Sequence, residues 1–229
     1  MTTSSGSAED GAELTVVPSE PTERARVVDL LARALLDNPS NIAMFPQNER
    51  RRLRSIRALY SVMLSDLAQP PLIGRLSGRI VGPSVVAMPE RCFYRRSQAH
   101  ARTVRVGGRQ LTVESPRVPL GQLLRLLSVG PGALQRAAVM GRSGSEHDPT
   151  ERHWHVELVG VEKELRGQGI GRRLMEAALR QTDHAHEPAY LETDTVENVR
   201  FYERLGFEVV AEARPLDTPI WHMQRAPAN

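Results

Sequence analysis

The sequence predicts an α/β (α+β) protein, and three stretches carry that prediction. From Glu157 to Thr182 an apolar strand runs into a glycine-rich turn, Arg166-Gly-Gln-Gly169-Ile-Gly171, that opens an amphipathic helix, so alternating patterning gives way to helical periodicity across one short turn. Pro71 to Leu76 and Arg79 to Met88 are hydrophobic stretches on either side of Ser77-Gly78, the pattern of a hairpin. Glu208 to Arg214 and Ile220 to Arg225 flank the turn Pro215-Leu-Asp-Thr-Pro219 and read as a further strand pair.

Residues 1–12, rich in Ser, Thr and Gly, lack the basic start and apolar core of a signal peptide and are expected to be a disordered tail, and 226–229 are expected to form a C-terminal tail. A single domain is expected over 13–225. Glu13 to Pro18 suits a first strand, and Pro21-Thr-Glu starts a helix through Leu36. Asp37 to Asn41 is expected to break the chain before an arginine-rich helix from Asn48 to Leu67. After the hairpin, Val104 to Val113 suits a second hairpin around Gly107-Gly108. Leu120 to Met140 has helical spacing interrupted at Gly130-Pro131, and Gly141 to Thr150 reads as a polar loop. From His153 the alternation is sharp, with His153, His155 and Glu157 on one strand face and Trp154, Val156 and Leu158 on the other. Tyr190 to Asp194 reads as a strand, and Asn198 to Phe207 as a helix ending in a Gly-Phe turn.

Composition narrows the function classes. A chain of 229 residues, 40% hydrophobic and 25% charged, can bury one substantial core. The isoelectric point near 9.5 invites a nucleic-acid reading. The net charge is only +3, however, and 4% aromatic content leaves little from which to build a base-stacking platform. The basic run Arg50 to Arg57 is expected to be a solvated helix face. No apolar run approaches the roughly 20 residues of a membrane span. Cys92, the single cysteine, excludes an intrachain disulfide and a cysteine metal cluster, and fits a reducing, cytoplasmic compartment. His147, His184, His186 and His222 lack metal-ligand spacing and are expected to be surface or structural residues, so no metal is expected.

The glycine-rich turn carries the chemistry. A helix N-terminus exposes backbone N–H groups, glycines at 167, 169 and 171 let an anion approach the chain closely, and Arg166, Arg172 and Arg173 add positive charge. The expected ligand is a pyrophosphate. No Gly-Lys-Ser/Thr triplet is present for a P-loop, and Leu174 stands where a dinucleotide fingerprint starting at Gly169 needs glycine.

The spacing Arg166-x-x-Gly169-x-Gly171 resembles the coenzyme A loop of the GCN5-related N-acetyltransferases (GNAT). Tyr190-Leu-Glu-Thr and Asn198-Val-Arg-Phe-Tyr202-Glu-Arg-Leu-Gly-Phe207 are similar to the strand and helix that follow it in that family, and look closest to its puromycin N-acetyltransferase-like branch. The resemblance implies a mixed, mostly antiparallel sheet of about six to seven strands flanked by helices and splayed at its central strands. It implies acetyl-coenzyme A as cosubstrate, its pantetheine arm on the backbone of Val159 and Val161, and its pyrophosphate on Arg166, Gly167, Gln168, Gly169, Ile170, Gly171 and Arg172. Asn198 would contact coenzyme A and Tyr202 would protonate the departing thiolate. Asn198 and Tyr202 are four residues apart, on one helical face. His155 and Glu157 stand where some members carry the residue that takes the amine proton. The variable region 90–150 would meet the acceptor. The implied partner is a small-molecule amine, with no nucleic acid and no membrane, acting as a monomer or homodimer. A protein or peptide amine, and a coenzyme A-binding module without turnover, are the alternatives.

Overall fold

A computed structural model describes residues 13–65, 67–89, 91–93 and 129–228, together with the backbone of two strands at 101–106 and 109–114. In chain order the elements are β1 (Leu14–Pro18), α1 (Arg24–Ala34), α2 (Pro39–Met44), α3 (Glu49–Met63), β2 (Leu72–Leu76), β3 (Arg79–Ala87), β4 (Ala101–Val106), β5 (Arg109–Glu114), α4 (Pro131–His147), β6 (Trp154–Val159), α5 (Ile170–Ala185), β7 (Ala189–Thr193), α6 (Val196–Glu203), β8 (Glu208–Ala213) and β9 (Ile220–Arg225). Seven strands form one sheet in the order β1-β2-β3-β6-β7-β9-β8, while β4 and β5 pair separately. Every pair in the large sheet is antiparallel except β6 with β7.

That parallel pair is brief. Trp154 lies opposite Ala189 and His155 opposite Tyr190, after which the two strands diverge. The sheet is therefore splayed at its centre, and the edge of β6 beyond His155 is open toward a cleft. A bulge accompanies the splay: Val85 faces Leu158 and Val86 faces Val156, so Glu157 is the extra residue on β6. The bulge corrects the alternation expected from sequence. Trp154 and Val156 pack with α5, whereas Leu158 packs with the α1 and α3 core.

The helices cover both faces of the sheet. On one, Val27, Leu30 and Leu31 of α1 and Ile56 and Tyr60 of α3 close over Ile73, Ile80 and Val85. On the other, α5 presents Leu174, Met175, Ala178 and Leu179, a helical stripe that is almost wholly buried, and Met175, Ala178 and Leu179 pack with Leu191, Phe207 and Met223. Among the described residues no helix is long and apolar enough to cross a membrane.

Three expectations change. The segment 37–41 is not simply a break, because Pro39 occupies the first turn of the short helix α2. The expected loop 141–150 is mostly helix, since α4 starts after Gly130 (φ 89°) and continues to His147. Its weak formers Gly141 and Gly144 are overridden by tertiary contacts: Arg136 Nε donates to the Met44 carbonyl at 2.9 Å, and Tyr190 Oη donates to the His147 carbonyl at 3.1 Å. The arginine run is not uniformly solvated either. Arg52 is buried and donates to the carbonyls of Leu36 and Gln47 and to the Asp37 carboxylate, tying α3 to the α1–α2 connection. The first part of the predicted 120–140 helix and the Gly107-Gly108 turn lie outside the described residues.

Candidate active site

Two clefts meet at the splay. The first, about 490 Å³, is lined by Val159, Gly160, Val161, Arg166, Gly167, Gly169, Ile170, Gly171, Arg172, Asn198 and Tyr202, among others. Gly167 and Gly169 both have φ 79°, and Gly169 is the N-cap of α5, a left-handed conformation that a residue with a Cβ adopts only at a cost. The first intrahelical bond runs from Arg173 N–H to the Gly169 carbonyl at 3.1 Å. The N–H groups of Ile170, Gly171 and Arg172 therefore precede the helical ladder and face the helix mouth, where the helix dipole also favours an anion. Gln168 is exposed and lies outside the lining of this cleft.

The edge of β6 supplies the rest of this cleft. Gly160 N–H donates to the Pro83 carbonyl at 3.0 Å and Glu162 N–H to the Val81 carbonyl at 2.9 Å. By strand alternation, the intervening backbone groups of Val159 and Val161 turn away from β3 toward the cleft. Arg166 folds over this edge, its Nε donating to the Val161 carbonyl at 3.3 Å and its terminal nitrogen to the Ala34 carbonyl. Arg172 is held along α5 by Glu176 at 2.7 Å.

The second cleft, about 920 Å³, opens on the other side of the splay. Its walls come from α2, α3, α4, β6 and β7, and among the described residues four carboxylates, Glu146, Glu157, Glu192 and Asp194, line it with one arginine, Arg142. The two clefts share Leu35, Asn38, Val159, Asn198 and Tyr202. Thr195 caps α6 by accepting from Asn198 N–H at 3.3 Å, which fixes the start of the helix so that Asn198 and Tyr202 both reach the junction. Burial, with a smaller contribution from the Asp194 charge, raises the Tyr202 phenol above its ordinary range. It is protonated at neutral pH and available as a donor.

Glu157, displaced by the bulge, faces the second cleft and accepts from Phe93 N–H at 2.5 Å. His155 does not join it. It is 3% exposed and lies outside the lining of either cleft, with Nε2 2.8 Å from Glu192 and Nδ1 3.7 Å from Asp148. Burial opposes a charge on His155. The Glu192 charge and hydrogen bonds to Asp148, Cys92 and Glu192 outweigh that effect, and its pKa is well above the usual histidine range. A histidine already holding its proton is a poor acceptor for another.

Behind Glu192 lies a polar cluster that sequence reasoning missed. His153 is 2% exposed, and its Nε2 lies 3.2 Å from Asp148. Buried Cys92 donates to the same Asp148 oxygen at 3.9 Å. Tyr190 stands edge-on to both histidine rings, with centroids 5.4 and 5.1 Å away. His222 is buried rather than at the surface: its Nδ1 bonds the Tyr190 hydroxyl at 2.6 Å, and burial lowers its pKa to about 4. The one sequence signal for this cluster is the pair His153 and His155 on alternate positions of a strand. Asp148 and Cys92 carry none, because they reach it from distant segments.

Comparison with known structures places this architecture. A structure described as a histone acetyltransferase and related acetyltransferase from Corynebacterium glutamicum superposes with a TM-score of 0.66 at 22% identity, covering 94% of this chain and 97% of that one. The fold is that of the GNAT acetyltransferases. The family model for the acetyltransferase (GNAT) domain matches residues 133–209, from α4 into β8. The GNAT fold also relates the chain to an agmatine N-acetyltransferase, at TM-score 0.60 and 15% identity over 93% of this chain and 99% of that one. A polyamine N-acetyltransferase of Drosophila melanogaster that forms N-acetylagmatine gives 0.57 and 16%, over 93% and 100%.

Proposed function

We propose that this chain is an acetyl-coenzyme A-dependent N-acetyltransferase acting on a primary amine of a small molecule. The observation that carries the reading is the junction: Asn198 and Tyr202, on one face of α6, line both the glycine-loop cleft and the carboxylate-lined cleft. A cosubstrate held on one side and an acceptor on the other would meet there, and holding two reactants in line supplies much of the acceleration such a transfer needs.

In this reading the loop from Arg166 to Arg172 binds the pyrophosphate, and the backbone of Val159 and Val161 pairs with the pantetheine arm. The acceptor nitrogen attacks the thioester carbonyl, forming the C–N bond; the C–S bond then breaks. Tyr202 donates its phenolic proton to the leaving thiolate, and Glu157 receives the proton released by the amine, directly or through a water. His155 has a supporting role, orienting Glu192 from behind the wall. The four carboxylates of the acceptor cleft favour a cationic amine, and the agmatine and polyamine acetyltransferases of the same fold are consistent with that class.

The test is a competition at equal concentrations between compact primary amines, agmatine and polyamines included, and basic peptides. Release of free thiol is followed and mass spectrometry locates the acetyl group. Higher kcat/KM for at least one small amine than for every peptide is expected. The reverse order would replace the substrate class with a peptide amine, and thiol release that no amine stimulates would leave a coenzyme A-binding module.

A further inference from the structure

We propose that Cys92, Asp148, His153 and His155 form a four-donor binding site for a divalent transition metal, with zinc the best match to the donor set. One ligand atom from each lies within 4.8 Å of all the others. From the Asp148 oxygen, His153 Nε2 is 3.2 Å away, His155 Nδ1 3.7 Å and Cys92 Sγ 3.9 Å. Tetrahedral zinc, with bonds of about 2.0–2.3 Å, sets its donors about 3.3–3.8 Å apart. The three distances from Asp148 thus lie in or close to that range, and the remaining donor pairs are no more than 4.8 Å apart.

The outer nitrogens of the two imidazoles make the argument specific. His153 Nδ1 lies 2.9 Å from the Glu151 carbonyl, which can only accept, so Nδ1 carries hydrogen and Nε2 turns its lone pair inward. His155 is oriented the other way round, its Nε2 donating to the Glu192 carboxylate at 2.8 Å and its Nδ1 turned inward. A ligating histidine whose far N–H is held by a carbonyl or carboxylate is the usual outer support of a metal site. Here both histidines have it, and His153 Nε2 and His155 Nδ1 converge on a carboxylate and a thiol; in the metal-free chain a proton on His155 Nδ1 answers that convergence, and a bound dication would displace it.

Charge and burial point the same way. Cys92, His153 and His155 are 2%, 2% and 3% exposed. A thiolate, a carboxylate and two neutral imidazoles around a dication sum to zero, which suits a desolvated position. Mixed S, N and O donors favour zinc over magnesium or calcium. With four protein donors the site is closed, so its role is structural. It would clip three separated segments together: the turn at Cys92, the end of α4 and the start of β6. The residue after Cys92 donates to Glu157, so the clip would also set the acceptor wall, a consequence that rests on the acetyltransferase reading while metal binding does not.

The test uses the full chain, stripped with a chelator and titrated with Zn²⁺ or Co²⁺, with circular dichroism confirming the fold. One equivalent bound per chain is expected, with cobalt giving a thiolate-to-metal charge-transfer band in the near ultraviolet and the intense visible bands of a tetrahedral centre. Cys92→Ser should stay folded, lose the charge-transfer band and bind zinc at least about tenfold more weakly; His153→Gln should lose the tetrahedral visible spectrum. A folded wild-type chain that binds neither metal, or a charge-transfer band that persists in Cys92→Ser, would overturn the site.

Discussion

The two clefts are neighbours, yet the chain builds them in opposite ways. The glycine-loop cleft comes mainly from two short stretches, 159–172 and 198–205, and much of its recognition surface is main chain. The carboxylate-lined cleft gathers side chains from α2, α3, α4, β6 and β7, which lie far apart in sequence and meet only through packing. An anion bound by backbone N–H groups requires glycines at set positions and so leaves a local signature. An amine bound by side chains requires only that carboxylates converge, which many sequences can arrange. The contrast predicts that substitutions in the first cleft act through cofactor affinity, and those in the second through turnover and acceptor choice.

Tyr202, at the junction, offers the largest effect. Tyr202→Phe keeps the ring and removes the proposed acid, so kcat should fall by roughly ten- to a thousandfold with little change in acetyl-coenzyme A affinity. Because the raised pKa keeps the phenol protonated, the wild-type chain should retain the proposed acid function beyond the ordinary tyrosine value of about 10. A pH–rate profile that loses activity below that point through a Tyr202-dependent limb would break the assignment.

Gly169→Val is next, and it should move affinity instead. Its left-handed backbone, φ 79°, is one that a β-branched residue avoids, so the loop must rearrange. A rise in the acetyl-coenzyme A dissociation constant on the order of ten- to a hundredfold follows from the usual cost of such strain. Calorimetry giving an unchanged constant for the folded variant would detach the loop from the cofactor.

On the acceptor side, Glu157→Gln should lower kcat near neutral pH by about tenfold or more and remove the acidic limb of the profile, since a base loses function when protonated. His155→Ala, behind the cleft wall, should keep that limb. If the two variants behave alike, the division between a cleft-facing base and a buried support fails.

The smallest effect is expected at Gly171. A methyl group there would meet Val161 Cγ2 at 3.7 Å and Phe201 Cζ at 3.9 Å, ordinary contact distances, and φ is not left-handed. Gly171→Ala should change cofactor affinity by no more than about threefold, well within the range of a tolerated small substitution. The contrast with Gly169→Val separates a glycine needed for backbone conformation from one that only leaves space.

Legibility in the sequence followed the same division. The strand, loop and helix around 157–182 and the pairing of Asn198 with Tyr202 could be read directly, because strand and helix periods and glycine placement are local properties. The bulge at Glu157 could not. It arises from the register between β3 and β6, and it moved Leu158 to the face opposite the one its alternation implied. The length of α4 was hidden for a related reason: its Gly- and Ser-rich second half is a poor helix by propensity and is held by partners on other elements. Cys92 and Asp148 carry no signal at all until the fold brings them to His153 and His155.

The most direct test of the convergence at Tyr202 is a crystal structure of the chain with coenzyme A bound. The pyrophosphate should rest on the N–H groups of the 167–172 turn, the pantetheine should run along Val159 and Val161, and the sulfur should lie within hydrogen-bond reach of the Tyr202 hydroxyl at the mouth of the carboxylate-lined cleft. A sulfur directed away from Tyr202, or a pyrophosphate bound elsewhere, would contradict the account.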